Sequence, residues 1–279
     1  QIYKGMTYPN PDLEPESIRT WEVGTEIGLF KDRLHADFTY YHKNAKKQIL
    51  PVTTSNVVGF SSMVLNAGNI ESKGVEIQLR GDILKSETGV NWTASFNFAK
   101  DKNKILELYP QLNLDTYQIG WTWGIANMAK VGESWGALVG PGYNRVEDGP
   151  MKGAIKVTEE GFVDNTKSTQ VIGHVTPNYL MSLRNEFKYK DFTVGFMLDF
   201  RKGGDIWSQT MNHAYASGIA AITAENGVRE RTIIAGKDVM KNERFVMPDG
   251  KGGWVENTIA VNTQDWYESG GIAEMYVFD

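Results

Sequence analysis

Two neighbouring runs set the pattern of the chain. In the first, Asn178 to Lys190, the residues Tyr179, Met181, Leu183, Phe187 and Tyr189 alternate with Leu180, Ser182, Arg184, Glu186 and Lys188. In the second, Asp191 to Arg201, Phe192, Val194, Phe196, Leu198 and Phe200 alternate with Thr193, Gly195, Met197, Asp199 and Arg201. A period of two makes each run a strand with one greasy, aromatic face and one largely polar face. Each run holds the pattern for about ten residues, the length a tilted strand needs to cross a bilayer. A soluble sandwich alternates over shorter strands. Length and aromatic ends together predict an all-β fold, a segment of an antiparallel transmembrane β-barrel.

The same alternation recurs upstream. Trp21, Val23, Ile27 and Leu29 oppose Glu22, Gly24, Glu26 and Gly28; after the turn Lys31-Asp32-Arg33, Leu34, Ala36, Phe38 and Tyr40 oppose His35, Asp37, Thr39 and Tyr41. A second hairpin sets Val75, Ile77 and Leu79 against Glu76, Gln78 and Arg80, turns through Lys85 to Gly89, and returns with Val90, Trp92, Ala94, Phe96 and Phe98 against Asn91, Thr93, Ser95 and Asn97. Between hairpins the connections are long: 43 to 73, 101 to 177, and everything after 202. Short and long connections in alternation are the outer-membrane arrangement, with short turns on the periplasmic side and long loops at the cell surface. Strands beginning near Thr20, Gly74 and Asn178 should then run inward, and those beginning near Leu34, Val90 and Asp191 outward. Within the long loops, small hairpins are expected at Ser134 to Val139 and Gly153 to Val157.

Composition narrows the alternatives. No apolar run approaches eighteen residues, so no membrane-spanning helix is encoded. With 29 basic and 34 acidic residues the chain is mildly acidic, unlike a nucleic-acid binder whose affinity rests on neutralising phosphates. Cysteine is absent, which removes disulfides, thiolate nucleophiles and thiolate metal ligands together. No basic-then-apolar leader follows Gln1, so any export signal is expected to have been removed or to lie upstream.

Several short motifs, in order, resemble the SusC/RagA group of TonB-dependent outer-membrane transporters of Bacteroidetes. They are Asn10-Pro11-Asp12-Leu13-Glu14-Pro15-Glu16 ahead of Trp21-Glu22-Val23-Gly24, Phe38-Thr39-Tyr40-Tyr41, Asn66-Ala67-Gly68-Asn69-Ile70 with Lys73-Gly74-Val75-Glu76, and Tyr189-Lys190-Asp191-Phe192 through Arg201-Lys202-Gly203-Gly204-Asp205-Ile206. The resemblance implies that residues 1–279 form part of a TonB-dependent receptor barrel domain. Signal peptide, plug and final strands are expected to lie outside the chain, since Tyr276-Val277-Phe278 looks like the start of a further strand. It further implies energised import of a polar oligomeric nutrient, glycan or peptide, at the cell outer membrane. The partners so implied are a SusD-like surface lipoprotein, TonB acting through the plug, and the lipid bilayer; nucleic acid is not among them.

Nothing in the residues points to catalysis, and neither a cofactor nor a metal is expected. His35, His42, His174 and His213 lie apart, none at metal-ligand spacing. Gly132, Gly136, Gly140 and Gly142 lack the strand before and helix after that a phosphate-cradling loop requires. The run from Asp249 has Lys251 and Gly253 where a calcium loop needs oxygen ligands. Loop aromatics are the candidate contacts for substrate or lid: Trp121, Trp123, Trp135, Tyr143, Trp207, Trp254 and Trp266, with Tyr267 beside the last. Flat rings beside Asn and Asp stack on sugars or peptide side chains, and the same rings also serve as small cores for long loops. The polar strand faces bring Glu22, Glu26, Asp37, Glu76, Arg80, Arg184, Glu186, Lys188, Asp199 and Arg201 toward a lumen. Two other readings stay open on the residues alone: a passive porin or adhesion barrel, and a soluble carbohydrate-binding β-sandwich.

Overall fold

The computed structural model describes residues 7–8, 10–53, 60, 62–109, 112–164, 169–221, 223, 232–234, 244–262 and 272–278. The chain divides into two compact units. The first comprises 1–117, 129–136 and 176–204, the second 118–128, 137–175 and 205–279.

The first unit is built on six long strands, β1 (Ser17–Leu29), β2 (Leu34–Thr53), β3 (Ser62–Leu84), β4 (Asn91–Glu107), β5 (Pro177–Tyr189) and β6 (Phe192–Gly203). They form one sheet in the order β6-β5-β4-β3-β2-β1, every pair antiparallel, with the two-residue strand Thr7–Tyr8 joining β3 in parallel. Each pairs with the next of these six, even β4 with β5, which lie far apart along the chain with shorter strands between them. This is the up-and-down order of an outer-membrane barrel wall.

Register sorts the two faces cleanly. Ile27, Ala36, Leu79, Phe96, Leu183 and Leu198 lie directly opposite one another across all six strands. One residue along, Glu26, Asp37, Gln78, Asn97, Ser182 and Asp199 form an unbroken polar row on the other face. Among the described residues no second layer covers the apolar face: Phe192 is 76% and Val194 64% exposed. A soluble sandwich would bury such residues between its sheets, so that reading is excluded; exposed alternate apolar residues are what lipid solvates. Aromatic pairs mark both margins of the apolar band. At the short-turn end Trp92 stacks on Phe187 with centroids 5.4 Å apart; at the other end Trp21 meets Tyr40 at 5.3 Å and Phe98 meets Tyr179 at 5.8 Å.

The structure shortens the first long connection. Residues 43 to 73, expected as loop, are mostly strand: β2 continues to Thr53 and β3 begins at Ser62. The apolar alternation stops near Tyr40 because lipid stops there, while the ladder continues into water on polar cross-strand pairs. Asn44 Nδ2 donates to Asn69 Oδ1 at 2.7 Å, and Nε2 of His42 lies 2.9 Å from Oε1 of Glu71. On the inward face of these extensions, Ala67, Ile70, Ile105, Leu108, Tyr109 and Ala129 make a small buried core.

The second unit is loop-rich with a core of its own around Tyr143, Ile155, Phe245, Ile272, Met275 and Tyr276. Its helix α1 (Gln209–Ala216) is capped by Ser208, whose Oγ accepts from the backbone N–H of Met211 at 3.2 Å. The two expected small hairpins take other forms. Strand Ala137–Pro141 pairs with both Ile125–Lys130 and Thr169–His174, whereas Ile155–Lys156 pairs in parallel with Phe245–Pro248.

Candidate functional site

The polar face of the six-stranded sheet is concave at its centre. A groove of about 680 Å³ is lined there by Asp37, Thr39, Glu76, Gln78, Asn97, Ser182, Asp199 and Arg201, among others. A second hollow near the short turns is lined by Glu26, Asp32, Arg33, His35, Arg80 and Asp82. Alternation places those that lie on strands, because each is one residue removed from a lipid-facing neighbour, while Asp32 and Arg33 belong to the turn before β2. Some are satisfied locally. Asn97 Nδ2 donates to Ser182 Oγ at 3.0 Å, Thr93 Oγ1 donates to Asp82 Oδ1 at 3.1 Å, and Arg184 pairs with Glu186 at 3.1 Å. Glu26, Asp37, Glu76 and Asp199 have no ion-pair partner among the described residues. Glu26 and Asp37 stand directly opposite each other, an arrangement that disfavours the sheet unless water or cationic groups lie close. The polar face is therefore rich in unpaired carboxylates at mid-height.

Tyr41 adds order to this face at the level where the strands leave the lipid. Its ring lies across Gly74, the residue opposite, and its hydroxyl donates to Asp101 Oδ1 at 3.0 Å on β4. A Cβ on Gly74 would fall 2.1 Å from Tyr41 Cζ, so only glycine admits the ring.

The loop aromatics divide by environment. Trp121 and Trp123 are 68% and 70% exposed at the tip of the hairpin joining Thr116–Thr122 to Ile125–Lys130, where Gly124 takes φ +94°. Trp123 also meets the His213 ring edge-on, with centroids 6.3 Å apart. The others are held by packing. Tyr143 is 1% exposed; its N–H donates to Glu274 Oε2 at 2.7 Å, and Arg145 spans from its ring to Glu274 Oε1 at 2.6 Å. Trp135 packs against the small inward core of the first unit, its backbone N–H donating to Asn103 Oδ1 at 2.7 Å. Trp207 packs in the second unit's core, and Trp254 carries Lys156 Nζ 4.9 Å above its ring. Trp266 and Tyr267 lie outside the described residues. Sequence reasoning missed the Tyr41–Gly74–Asp101 arrangement. The signal was present in Gly74, a lone glycine opposite an aromatic in an otherwise regular strand pair.

Among the described residues no cluster of His, Asp or Glu is placed to hold a metal ion. The family described as TonB dependent receptor-like, beta-barrel matches residues 2–179. The chain belongs to that family. TonB-dependent receptor P3 of Formosa agariphila is 26% identical over 235 residues, covering 78% of this chain and 23% of that receptor. Receptor P26 of the same organism is 24% identical over 220 residues, covering 74% and 22%. The chain thus spans less than a quarter of the length of these curated relatives. Among solved structures, the RagAB peptide transporter superposes with a TM-score of 0.60 at 21% identity, over 74% of this chain and 23% of that one. The RagAB peptide importer in its open-open state gives 0.56 at 20%, over 71% and 22%. At such identities the superpositions establish a shared fold. The resemblance to the SusC/RagA group and the all-β outer-membrane barrel are borne out. The proteins matched are named as receptors and transporters, not as enzymes.

Proposed function

We propose that this chain serves, as part of a larger receptor, in the wall of an energised importer that takes a polar oligomeric nutrient across the outer membrane. TonB drives the cycle from the periplasm, and a SusD-like surface lipoprotein closes the barrel from outside. One observation carries the reading: the unbroken row Glu26, Asp37, Gln78, Asn97, Ser182 and Asp199 lies directly behind a lipid-facing row. A wall that is polar from strand to strand wets its interior and suits a hydrophilic cargo. Membership in a TonB-dependent receptor family supports the energised step, and two similar solved structures are those of the RagAB peptide transporter and of the RagAB peptide importer in its open-open state. Exposed Trp121 and Trp123 are the rings we assign to contact with cargo or lid.

The test is genetic and nutritional. Cells lacking the complete protein should fail to grow on one oligomeric source, a glycan or a peptide, yet grow normally on its monomers. Loss of TonB or of the lid lipoprotein should reproduce the defect. Undiminished uptake without TonB would mean a passive pore, and growth on every oligomer tested would leave the importer reading without support.

A further inference from the structure

The outward face of β4 changes character at one point along its length. Its outward residues run Trp92, Ala94, Phe96 and Phe98 through the apolar band, then Lys100, Lys102 and Lys104 beyond the margin marked by the Phe98–Tyr179 contact. On β3 the same change occurs between Val75 and Lys73, and Lys73 lies directly opposite Lys102. All four lysines are exposed. Lys73 pairs with Glu71 at 3.0 Å, while Lys100, Lys102 and Lys104 have no ion-pair partner among the described residues. Alternate residues of a strand stand about 7 Å apart, close enough for two ammonium groups to share one phosphate. These lysines sit on the end of the sheet away from the short turns, which places them beside the headgroups of the cell-surface leaflet.

We propose that Lys100, Lys102 and Lys104, with Lys73 beside them, form a docking ladder for phosphate-bearing anionic lipid headgroups of that leaflet. Two features of the surface select this occupant. The ladder is continuous with the lipid-facing apolar strip of the same strand, so an acyl chain lying along Phe96 and Phe98 brings its headgroup to Lys100. It also carries lysine in excess of carboxylate where a headgroup would lie, with Glu71 opposite Lys104 and paired to Lys73, and lysines near an anionic leaflet each add to retention. An acidic protein partner would need no adjoining greasy strip.

The test uses the complete protein containing this chain, reconstituted in phosphatidylcholine vesicles, with spin-labelled phosphatidylglycerol or phosphatidylcholine as the probe. The wild type should favour phosphatidylglycerol, by roughly fivefold or less for each lysine engaged, and the preference should weaken with added salt. The triple variant Lys100→Gln, Lys102→Gln, Lys104→Gln should fall to near parity, and the triple Arg variant should keep the preference. Lys102→Gln alone gives a milder loss and guards against a folding failure of the triple variant. Lys43→Gln, on the polar face of the neighbouring extension, should change nothing. No preference in the wild type, an equal preference in the triple Gln variant, or an equal loss in Lys43→Gln would each overturn the proposal. So would displacement of the labelled lipid by soluble glycerol phosphate at matched concentration, which would indicate a free-anion site.

Discussion

The indole Nε1 of Trp92 donates to Oδ1 of Asn185 at 3.0 Å, on the face of the sheet that alternation assigns to lipid. Asn185 is 6% exposed, and it occupies an outward position of β5 between Leu183 and Phe187. A polar side chain at that depth is tolerated only if its hydrogen bonds are made inside the protein. Trp92, stacked on Phe187, supplies the donor. Trp92→Phe should therefore destabilise the barrel by about 1–3 kcal/mol, the usual cost of leaving a buried acceptor unsatisfied. Adding Asn185→Leu to that variant should recover most of the loss. Urea unfolding in vesicles measures both, and a double variant no more stable than the single one would refute the coupling.

The two faces should differ in tolerance at adjacent positions of β6. Val194 lies opposite Phe187 in the apolar band, and Phe196 follows it on the same face. Arg at either position should cost about 2–4 kcal/mol or prevent assembly, whereas Thr193→Arg, turned toward the hydrated interior, should be far milder. Heat-dependent gel mobility of the folded barrel reports the difference. Equal damage at Thr193 and Val194 would mean that both faces are buried.

Legibility followed the lipid. Where a strand crosses the apolar band, period two with aromatic margins located β5, β6 and the turns at Lys31–Arg33 and Lys190–Asp191 to within a few residues, although Lys31, Asp32 and Lys190 take left-handed backbone angles without being glycine. Beyond Tyr40 that signal vanished, because residues such as Lys43 to Gln48 and Asn69 to Glu71 lie past the apolar band and need no apolar partner. Their strands persist through register and side-chain pairs, which a single sequence does not display. Among the loop aromatics, composition could not separate exposed Trp121 and Trp123 from Tyr143, since Tyr143 is buried in a cluster with Phe245 and Met275, both distant in sequence.

The polar pairs above the apolar band should carry a pH signature. Glu71 accepts from Lys73 and lies beside His42, and these contacts, Lys73 first, hold its carboxyl below the ordinary glutamate value of 4.5. Trp21 Nε1 donates to His42 Nδ1 at 3.0 Å, which leaves Nε2 of that ring to donate to Glu71. A carboxyl whose folded value is depressed contributes its full stability above its unfolded value and loses that contribution as pH falls through the folded one. Wild-type stability should consequently decline on acidification below about pH 4.5, and Glu71→Gln should remove that part of the decline. Unfolding midpoints across this range, compared at low and high salt, give the answer. Identical pH profiles for the two proteins would exclude a role for the pair.

Replacing loop aromatics should sort them by what they do. Trp121 and Trp123 stand exposed on a hairpin tip, where their removal takes away no buried contact. Trp121→Ala with Trp123→Ala should leave unfolding unchanged and weaken uptake or lid association, by about 1 kcal/mol for each ring that stacks on a partner. Tyr143→Ala should do the reverse first: it empties a buried site in the second unit's core and costs about 3–5 kcal/mol on the scale of large aromatic truncations. Measuring oligomer uptake beside protein abundance and unfolding separates the two effects. If the double tryptophan variant imports at the wild-type rate with its lid bound as tightly, neither ring touches cargo or partner, and their exposure needs another explanation.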